Sequence, residues 1–312
     1  MRLNGVLLTV TGSLFAACYA IMQRKAFTRG VDENHRSHES VLLAGTYLVT
    51  ATMLFVGWML TGQPSRVSPH FWMYVCATGS LNVLISYCSF KAVETKEDIS
   101  IVIPIRDTTP AAVVVTAWFI TGERPSSVGY LGVLLLVAGT YTLNIHTLVE
   151  KLHQGQWSWR SFVEPWLALT RSKGVRYAFV GSAIGCVAIT FDGLASRNAH
   201  PLFALGCVMS FPACAHLCRV VWNGRTSQLM DRERGMPWIV FGLGVLYASA
   251  NACYYFSFRH LLVAYQATVK RTETFLVLVL AFILLGERKN FRSRMVAVAL
   301  MVAGTVLIAR SS

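Results

Sequence analysis

Ten apolar stretches, each about the length of a helix that crosses a lipid bilayer, dominate the 312-residue chain. Hydrophobic residues make up 54% of the chain, charged residues only 14%, and the mean hydropathy is +0.50, which is too apolar for a soluble domain. The stretches lack the short alternating pattern of barrel strands, so helices must satisfy the backbone in lipid. We therefore predict an all-α integral, multi-pass membrane protein with ten transmembrane helices, termed spans 1 to 10. They cover 3–23, 41–60, 71–90, 99–120, 128–145, 175–192, 201–222, 237–257, 261–285 and 293–309.

An internal repeat divides these spans into two halves. IPIRD at 103–107 and TVKRTE at 268–273 each place charges within an apolar span, and each precedes a Gly-Glu pair by the same spacing. Each pair is followed by an apolar stretch that ends in Val-Ala-Gly-Thr, at 137–140 and 302–305. Five spans per half is an odd number, so the second half must enter the membrane from the opposite face. We predict two inverted five-helix repeats, 1–145 and 175–312, joined by an interfacial linker at 146–174 that is rich in Trp and basic residues.

The net charge of +13 is spread over many short loops, which predicts contact with membrane lipid and no binding of nucleic acid. The loops after the odd-numbered spans hold roughly three times as many Lys and Arg as the loops on the other face, so the positive-inside rule places both termini outside the cytoplasm. All eight cysteines lie within predicted spans without metal-ligand spacing, and we predict neither a metal site nor a cofactor.

The chain resembles the EamA-type members of the drug/metabolite transporter superfamily. The resemblance covers the whole chain and is clearest in FITGERPSSVGYLGVLLLVAGTY (119–141) and YQATVKRTETFLVLVLAFILLGERKNFRSRMVAVALMVAGT (265–305). It implies a secondary transporter in the plasma (inner) membrane, with a central cavity lined mainly by spans 3, 4, 8 and 9, but it does not specify the substrate. Many such transporters keep both termini in the cytoplasm, against the charge count, so the orientation stays open.

Five charged residues lie near the midplane by residue count: Arg106, Asp107, Lys270, Arg271 and Glu273. Because an unpaired buried charge costs several kcal/mol, they must face one another or a water-filled cavity. Three are positive and two negative, and the excess positive charge predicts binding of a carboxylate or phosphate. The alternative is a structural network or a gate. Asp107 or Glu273 is also a candidate for binding a coupling proton.

Polar side chains on other spans are predicted to complete the substrate-binding lining. Tyr247, Asn251, Tyr254 and Tyr255 are spaced along one face of span 8. Each of these residues has the alternative of ordinary helix packing. The candidates for substrate binding on spans 1, 3, 8 and 9, besides the charged residues, are Tyr19, Asn82, Tyr87, Asn251, Tyr254 and Gln266.

These features predict a carrier that moves a small anionic or zwitterionic metabolite by alternating access, as a monomer or homodimer. An amino acid or a phosphorylated or carboxylated compound would fit. The alternatives are an exporter of cationic drugs or amines and a divalent-cation carrier or channel. An intramembrane enzyme is disfavoured because no nucleophile and base are apparent at matching depths. Glu123 and Glu287 follow Gly at helix ends and are predicted to fix loops or to pair with the adjacent Arg124 and Arg288.

Overall fold

The structure is a computed structural model, and the structural statements below concern the residues that it describes. These are residues 2–29, 35–64, 66–94, 109–152, 163, 166–167, 169, 171–224, 226, 228, 236–285 and 295–311.

This part of the chain is helical, as predicted. The helices are α1 (Arg2–Arg29), α2 (His35–Leu60), α3 (Phe71–Glu94), α4 (Thr109–Thr121), α5 (Ser127–Leu152), α6 (Lys173–Arg197), α7 (Pro201–Trp222), α8 (Met236–Ser257), α9 (Val263–Val269), α10 (Thr272–Leu285) and α11 (Met295–Arg310). Six of them, α1, α2, α3, α6, α7 and α8, are long and apolar enough to cross a membrane, and α4, α5 and α11 contain shorter apolar segments.

Several observed helices are longer than the predicted spans, and two differences bear on the candidate site. Span 9 was predicted as one uninterrupted helix, but the structure divides it into α9 and α10. Span 6 was predicted to end at residue 192, whereas α6 continues to Arg197. A short stretch of small and apolar residues after Asp192 extends the helix by about another turn, so an acidic side chain taken for a helix end lies inside the span.

The helices pack in a pattern that is preserved when each span is exchanged with the one five places away. Helix α3 packs on α6, and its counterpart α8 packs on α1. Likewise α3 packs on α7 and α8 on α2, while α2 with α7, α5 with α11, and α4 with α9 are pairs that exchange into themselves. Such exchange is expected of two related halves about a pseudo-two-fold axis, and the odd number of spans in each half makes them inverted.

Helices α5 and α11 meet through glycines at a contact that we term the glycine seam, formed by Gly132, Gly139, Ala297 and Gly304. A β-carbon added at Gly304 would lie 2.6 Å from the carbonyl oxygen of Gly132, and one added at Gly139 would lie 2.7 Å from that of Ala297. Real side chains do not tolerate such distances. Small residues therefore bring these two backbones into direct contact, as is common where helices associate within lipid.

Four loops meet at one end of the bundle, which we call the short-loop face: 61–70, 122–126, 198–200 and 258–262. The Ser68 amide donates to the Asn198 carbonyl at 3.2 Å and so joins the loop after α2 to the loop after α6. The Ser126 hydroxyl donates to the carbonyl of Ser311, beyond the end of α11, at 3.0 Å. Loops of both repeats are thus tied together at this face.

Arg197 and Glu123 form the central contact of the short-loop face, and we term this pair and its hydrogen bonds the Arg197 latch. The guanidinium group of Arg197 pairs with Glu123 and donates to the carbonyls of Phe258 and Leu261, each at 2.8 Å. The second carboxylate oxygen of Glu123 accepts the amide of Val263 at 2.8 Å. One ion pair therefore connects the end of α6, the loop after α4 and the start of α9.

The latch corrects one of the two predictions for Glu123, which was expected to fix loop structure or to pair with Arg124: it holds loops together, but its ionic partner is Arg197. The guanidinium group of Arg124 instead lies 5.8 Å from the ring centre of Trp118. Glu123 pairs across the two halves because the inverted repeat brings the end of α6 beside the loop after α4, a proximity that sequence spacing does not reveal. Glu287 and Arg288 lie outside the described residues.

Candidate substrate-binding site

The ninth span is interrupted at two of the predicted site residues, Lys270 and Arg271, which form the turn between α9 and α10. The Arg271 amide donates to the Thr268 carbonyl at 3.0 Å and the Glu273 amide to the Lys270 carbonyl at 3.1 Å. Both bonds span three residues, where an α-helix would use four, so the chain tightens locally. Tightening of this kind within a span often marks a functional position.

The Ser13 hydroxyl of α1 contacts the backbone of this turn. Its single proton is shared between the Thr9 carbonyl of its own helix at 3.0 Å and the Lys270 carbonyl at 3.2 Å, and its oxygen accepts the Tyr254 hydroxyl at 3.4 Å. The Lys270 ammonium group lies 4.4 Å from the centre of the Tyr254 ring, within the range of a cation–π interaction. Helices α1 and α8 therefore hold the turn from two sides.

Asp192, on α6, forms a second polar centre. Its Oδ1 accepts the hydroxyls of Thr78 and Tyr255, each at 2.6 Å, which is the short distance typical of hydroxyl–carboxylate bonds. The amide of Asn82 donates to the Thr78 carbonyl at 3.0 Å and contacts its hydroxyl at 3.2 Å. The network therefore links α3, α6 and α8.

The charged groups at this level are partly accessible. Asp192, Lys270, Arg271 and Glu273 are neither fully buried nor exposed. Charged side chains within a span are stable where they pair with one another or reach water. These four side chains therefore form the charged part of the candidate site.

A group of tyrosines joins α1, α2 and α8. The Tyr19 and Tyr247 rings lie 5.1 Å apart, and Tyr47 meets Tyr247 edge-on at 5.6 Å. The predicted inward orientation of the polar stripe on span 8 is thus confirmed for Tyr247 and for the buried Tyr254 and Tyr255. Aromatic faces at this position offer surfaces for an apolar or cationic part of a ligand.

Ser86 and His216 correct the expectation that no nucleophile and base lie at matching depths. Ser86 Oγ is 2.6 Å from His216 Nε2, and the Tyr47 ring stacks on the imidazole at 5.6 Å. Helices α3 and α7 pack together, which brings the two side chains to one level. Activation of a serine also requires a group that orients the histidine and donors for an oxyanion. Tyr47 contributes a stacking contact to this pair.

The remaining predicted residues occupy different environments. Asn251 donates to the Tyr247 carbonyl of its own helix at 2.8 Å, and Tyr87 is 51% exposed. Gln266 is fully buried, and both polar atoms of its amide group have no hydrogen-bond partner among the described residues. Arg106 and Asp107 lie outside the described residues.

Asp192 changes the charge balance on which the anion prediction rested. The sequence placed three positive and two negative residues near the midplane, and Asp192 adds a third carboxylate. With all six groups ionised the positive excess disappears. Protonation of one carboxylate would restore it, so the affinity of such a site for an anion depends on the protonation state of its acids.

Sequence reasoning missed Asp192, Thr78 and Ser13. Asp192 is the last residue of the predicted span 6, and acidic residues are common at the ends of spans. The small and apolar residues that follow it, 193–196, were the signal that the helix continues past Asp192. Thr78 and Ser13 carry no comparable signal, because hydroxyl side chains within spans usually bond to their own helix.

Among the described residues, no group of three His, Cys, Asp or Glu side chains is arranged to hold a metal ion. The charged and aromatic residues of the site can bind a small polar ligand through hydrogen bonds, ion pairs and ring contacts.

The comparisons with known proteins agree on the architecture. The model of the EamA-like transporter family matches residues 3–145 and 172–310, once for each half. A solved structure described only as "Crystal structure of protein" has a TM-score of 0.70, with 16% identity over 98% of this chain and 96% of that chain. At this identity the likeness shows the fold alone. The sequence matches none of the curated proteins with which it was compared.

The two family matches, one per half, cover nearly the whole chain and coincide with the inverted repeats seen in the packing. The protein is therefore an integral multi-pass membrane protein that belongs to the EamA-like transporter family of the drug/metabolite transporter superfamily.

Proposed function

We propose that the protein is a secondary carrier of a small anionic or zwitterionic metabolite, such as an amino acid or a carboxylated or phosphorylated compound, in the plasma (inner) membrane. The observation that supports this best is the break of the ninth span at Lys270 and Arg271, where the charged side chains of Lys270, Arg271 and Glu273 are partly accessible. Interrupted helices near the midplane are a common place for substrate binding in carriers with inverted repeats.

The charged groups favour a ligand that carries a negative group. Arg271 can bind a carboxylate or phosphate with two parallel hydrogen bonds, while the Lys270 ammonium acts as a point charge. Glu273 and Asp192 provide acceptors for an ammonium group on the same ligand. A zwitterion therefore suits the fully ionised site, and an anion suits the site after one carboxylate is protonated.

In this proposal the two halves rock about the site and expose it to one face at a time. The Arg197 latch at the short-loop face supports this view, since it joins elements of both halves by an ion pair and backbone hydrogen bonds. Such contacts can break and reform without loss of the helices, as alternating access requires.

A second candidate, a carrier of cationic amines, is favoured by one observation. The Tyr19, Tyr47 and Tyr247 rings form a cluster. Aromatic faces of this kind can bind an ammonium group through cation–π contacts.

The test is the melting-temperature shift of the purified protein with glycine, glutamate, succinate, glycerol 3-phosphate and choline. A ligand that binds only the folded state raises the melting temperature. At a ligand concentration of a hundred times Kd, the free energy of unfolding increases by about 2.7 kcal/mol. We expect stabilisation by one or more of the first four compounds, lost in Lys270→Gln and Arg271→Gln but kept in Arg176→Gln, a control at an exposed position of α6.

Stabilisation by choline alone, unchanged in Lys270→Gln and Arg271→Gln, would replace this proposal with the amine carrier. Uptake of the stabilising compound into proteoliposomes then establishes transport. Binding without uptake, in vesicles where the protein is folded, would contradict a carrier function.

A further inference from the structure

We propose that Asp192 binds and releases the proton that couples transport to the proton gradient, and that its protonation loosens hydrogen bonds between the two halves of the chain. This inference rests on the proposed carrier function and assigns its coupling site. The sequence had offered Asp107 and Glu273 as candidates, whereas the contacts of the described residues favour Asp192.

The two oxygens of the Asp192 carboxylate have different environments. Oδ1 accepts hydrogen bonds from Thr78 and Tyr255, each at 2.6 Å. Oδ2 has no hydrogen bond with the described residues, and it is not among the buried unpartnered atoms, so it retains accessible surface. A proton can therefore bind Oδ2 while the two hydroxyls stay in contact with Oδ1.

The donors that hold Asp192 come from two different helices. Thr78 lies on α3 and Tyr255 on α8, and α3 is part of the first half of the chain while α6 and α8 belong to the second. Protonation weakens both bonds, because they are strongest to the ionised carboxylate. The charge on one side chain therefore affects contacts between the two halves that must move.

Protonation of Asp192 can accompany the movement of the two halves. When a proton from water bonds to Oδ2, the carboxylate becomes a neutral acid and its bonds with Thr78 and Tyr255 weaken. The proton bonds to Oδ2 on one side of the membrane and returns to water on the other, and no electrons are transferred.

The groups around Asp192 suit a proton better than a metal ion. Hard cations such as Ca²⁺ require about six to eight oxygen ligands, whereas the side chains bonded to Asp192 offer two hydroxyls that donate toward it. The titratable and charged side chains near Asp192 are Tyr247 and Tyr255 on α8 and Lys270 at the end of α9. Farther along α6, Tyr74 of α3 contacts Phe191, Arg271 lies near Cys186, and the Thr116 hydroxyl of α4 bonds Thr190, while Cys207 of α7 lies near Tyr255.

The first arm of the test needs no substrate. Infrared difference spectra of the purified protein, recorded between about pH 5 and about pH 8, report the carbonyl band of a protonated carboxylic acid. We expect a pH-dependent band in the wild type that is missing in Asp192→Asn, returns in Asp192→Glu and persists in Glu273→Gln. A band that survives in Asp192→Asn, or that is lost only in Glu273→Gln, would overturn the assignment.

The second arm measures uptake of radiolabelled glycine, glutamate, succinate and glycerol 3-phosphate into proteoliposomes. A gradient of one pH unit corresponds to about a tenfold accumulation per coupled proton. We expect this gain in the wild type, its loss in Asp192→Asn, and continued exchange of labelled for unlabelled substrate in that variant.

The two arms separate the two proposals. Failure to bind or take up all four compounds would contradict the proposed function, whatever the infrared band shows. Uptake that is equal with and without the proton gradient in the wild type would overturn the coupling role of Asp192 and leave the carrier function standing. If Asp192→Asn does not stay folded during purification, Asp192→Glu provides the test. This variant must show both the infrared carbonyl band and the proton-driven accumulation of substrate.

Discussion

The glycine seam and the break in span 9 are two helix contacts built on different principles. In the seam, α5 and α11 meet backbone to backbone, and a β-carbon at Gly304 would lie 2.6 Å from the Gly132 carbonyl. At the break, α1 meets the turn between α9 and α10 through side chains, with Ser13 bonding the Lys270 carbonyl. Close packing cannot deform gradually, whereas single hydrogen bonds exchange at small cost. The seam is suited to a fixed contact and the break to a contact that rearranges.

The largest effect is expected from filling the seam. Gly304→Ala places a methyl group against the Gly132 carbonyl, and overpacking of this kind costs about 1–3 kcal/mol. We expect a clear fall in the melting temperature of the purified protein. Gly57→Ala is the matched control, since its β-carbon would meet only Leu202, at 3.6 Å, and alanine favours helix by up to about 1 kcal/mol. Equal melting temperatures for the two variants would show that the seam is not tightly packed.

The Arg197 latch should have the next largest effect. Arg197→Gln leaves Glu123 without its ionic partner and removes bonds to two carbonyls. Because the arginine side chain is partly exposed, we expect a cost of about 1–3 kcal/mol, below that of a fully buried pair. Arg176→Gln is the control. A double-mutant cycle with Glu123→Gln measures the coupling directly, and a coupling energy near zero would contradict a role of the pair in closing the short-loop face.

A smaller effect is expected at the break. Ser13→Ala removes the hydroxyl that bonds the Lys270 carbonyl, at a cost of about 1 kcal/mol. We expect uptake by proteoliposomes to change more than the melting temperature does, because the turn carries two candidate substrate ligands. Ser210→Ala is the control, as its hydroxyl bonds the Gly206 carbonyl of its own helix. An equal loss of uptake in both variants would argue against a special role for Ser13.

The smallest effect is expected for Ser86→Ala. The change removes the bond to His216 but leaves the stacking of Tyr47 on the imidazole. The stability should fall by no more than about 1 kcal/mol, with uptake largely kept. Complete loss of uptake in a folded Ser86→Ala protein would indicate that Ser86 is a nucleophile and that the Ser86–His216 pair belongs to an enzyme.

Sequence reasoning succeeded where the signal was local or repeated. Span lengths, the two inverted halves and the inward stripe on span 8 all follow from periodicity and from the cost of exposing backbone to lipid. It failed where a contact joins distant residues. Glu123 was assigned a neighbouring arginine and instead pairs with Arg197, and Asp192 was taken for a helix end although α6 continues past it.

The sequence by itself determined that this is a ten-span membrane protein of two related halves, because the lengths of the apolar stretches and their repetition can be read directly from the order of the residues. Only the tertiary structure decided which polar groups meet. The bonds of Asp192 with Thr78 and Tyr255, the bond of Ser13 with the Lys270 carbonyl and the Arg197 latch each join different helices. Those partners are set by helix packing about the pseudo-two-fold axis, which depends on shape complementarity among all the spans and not on any local pattern.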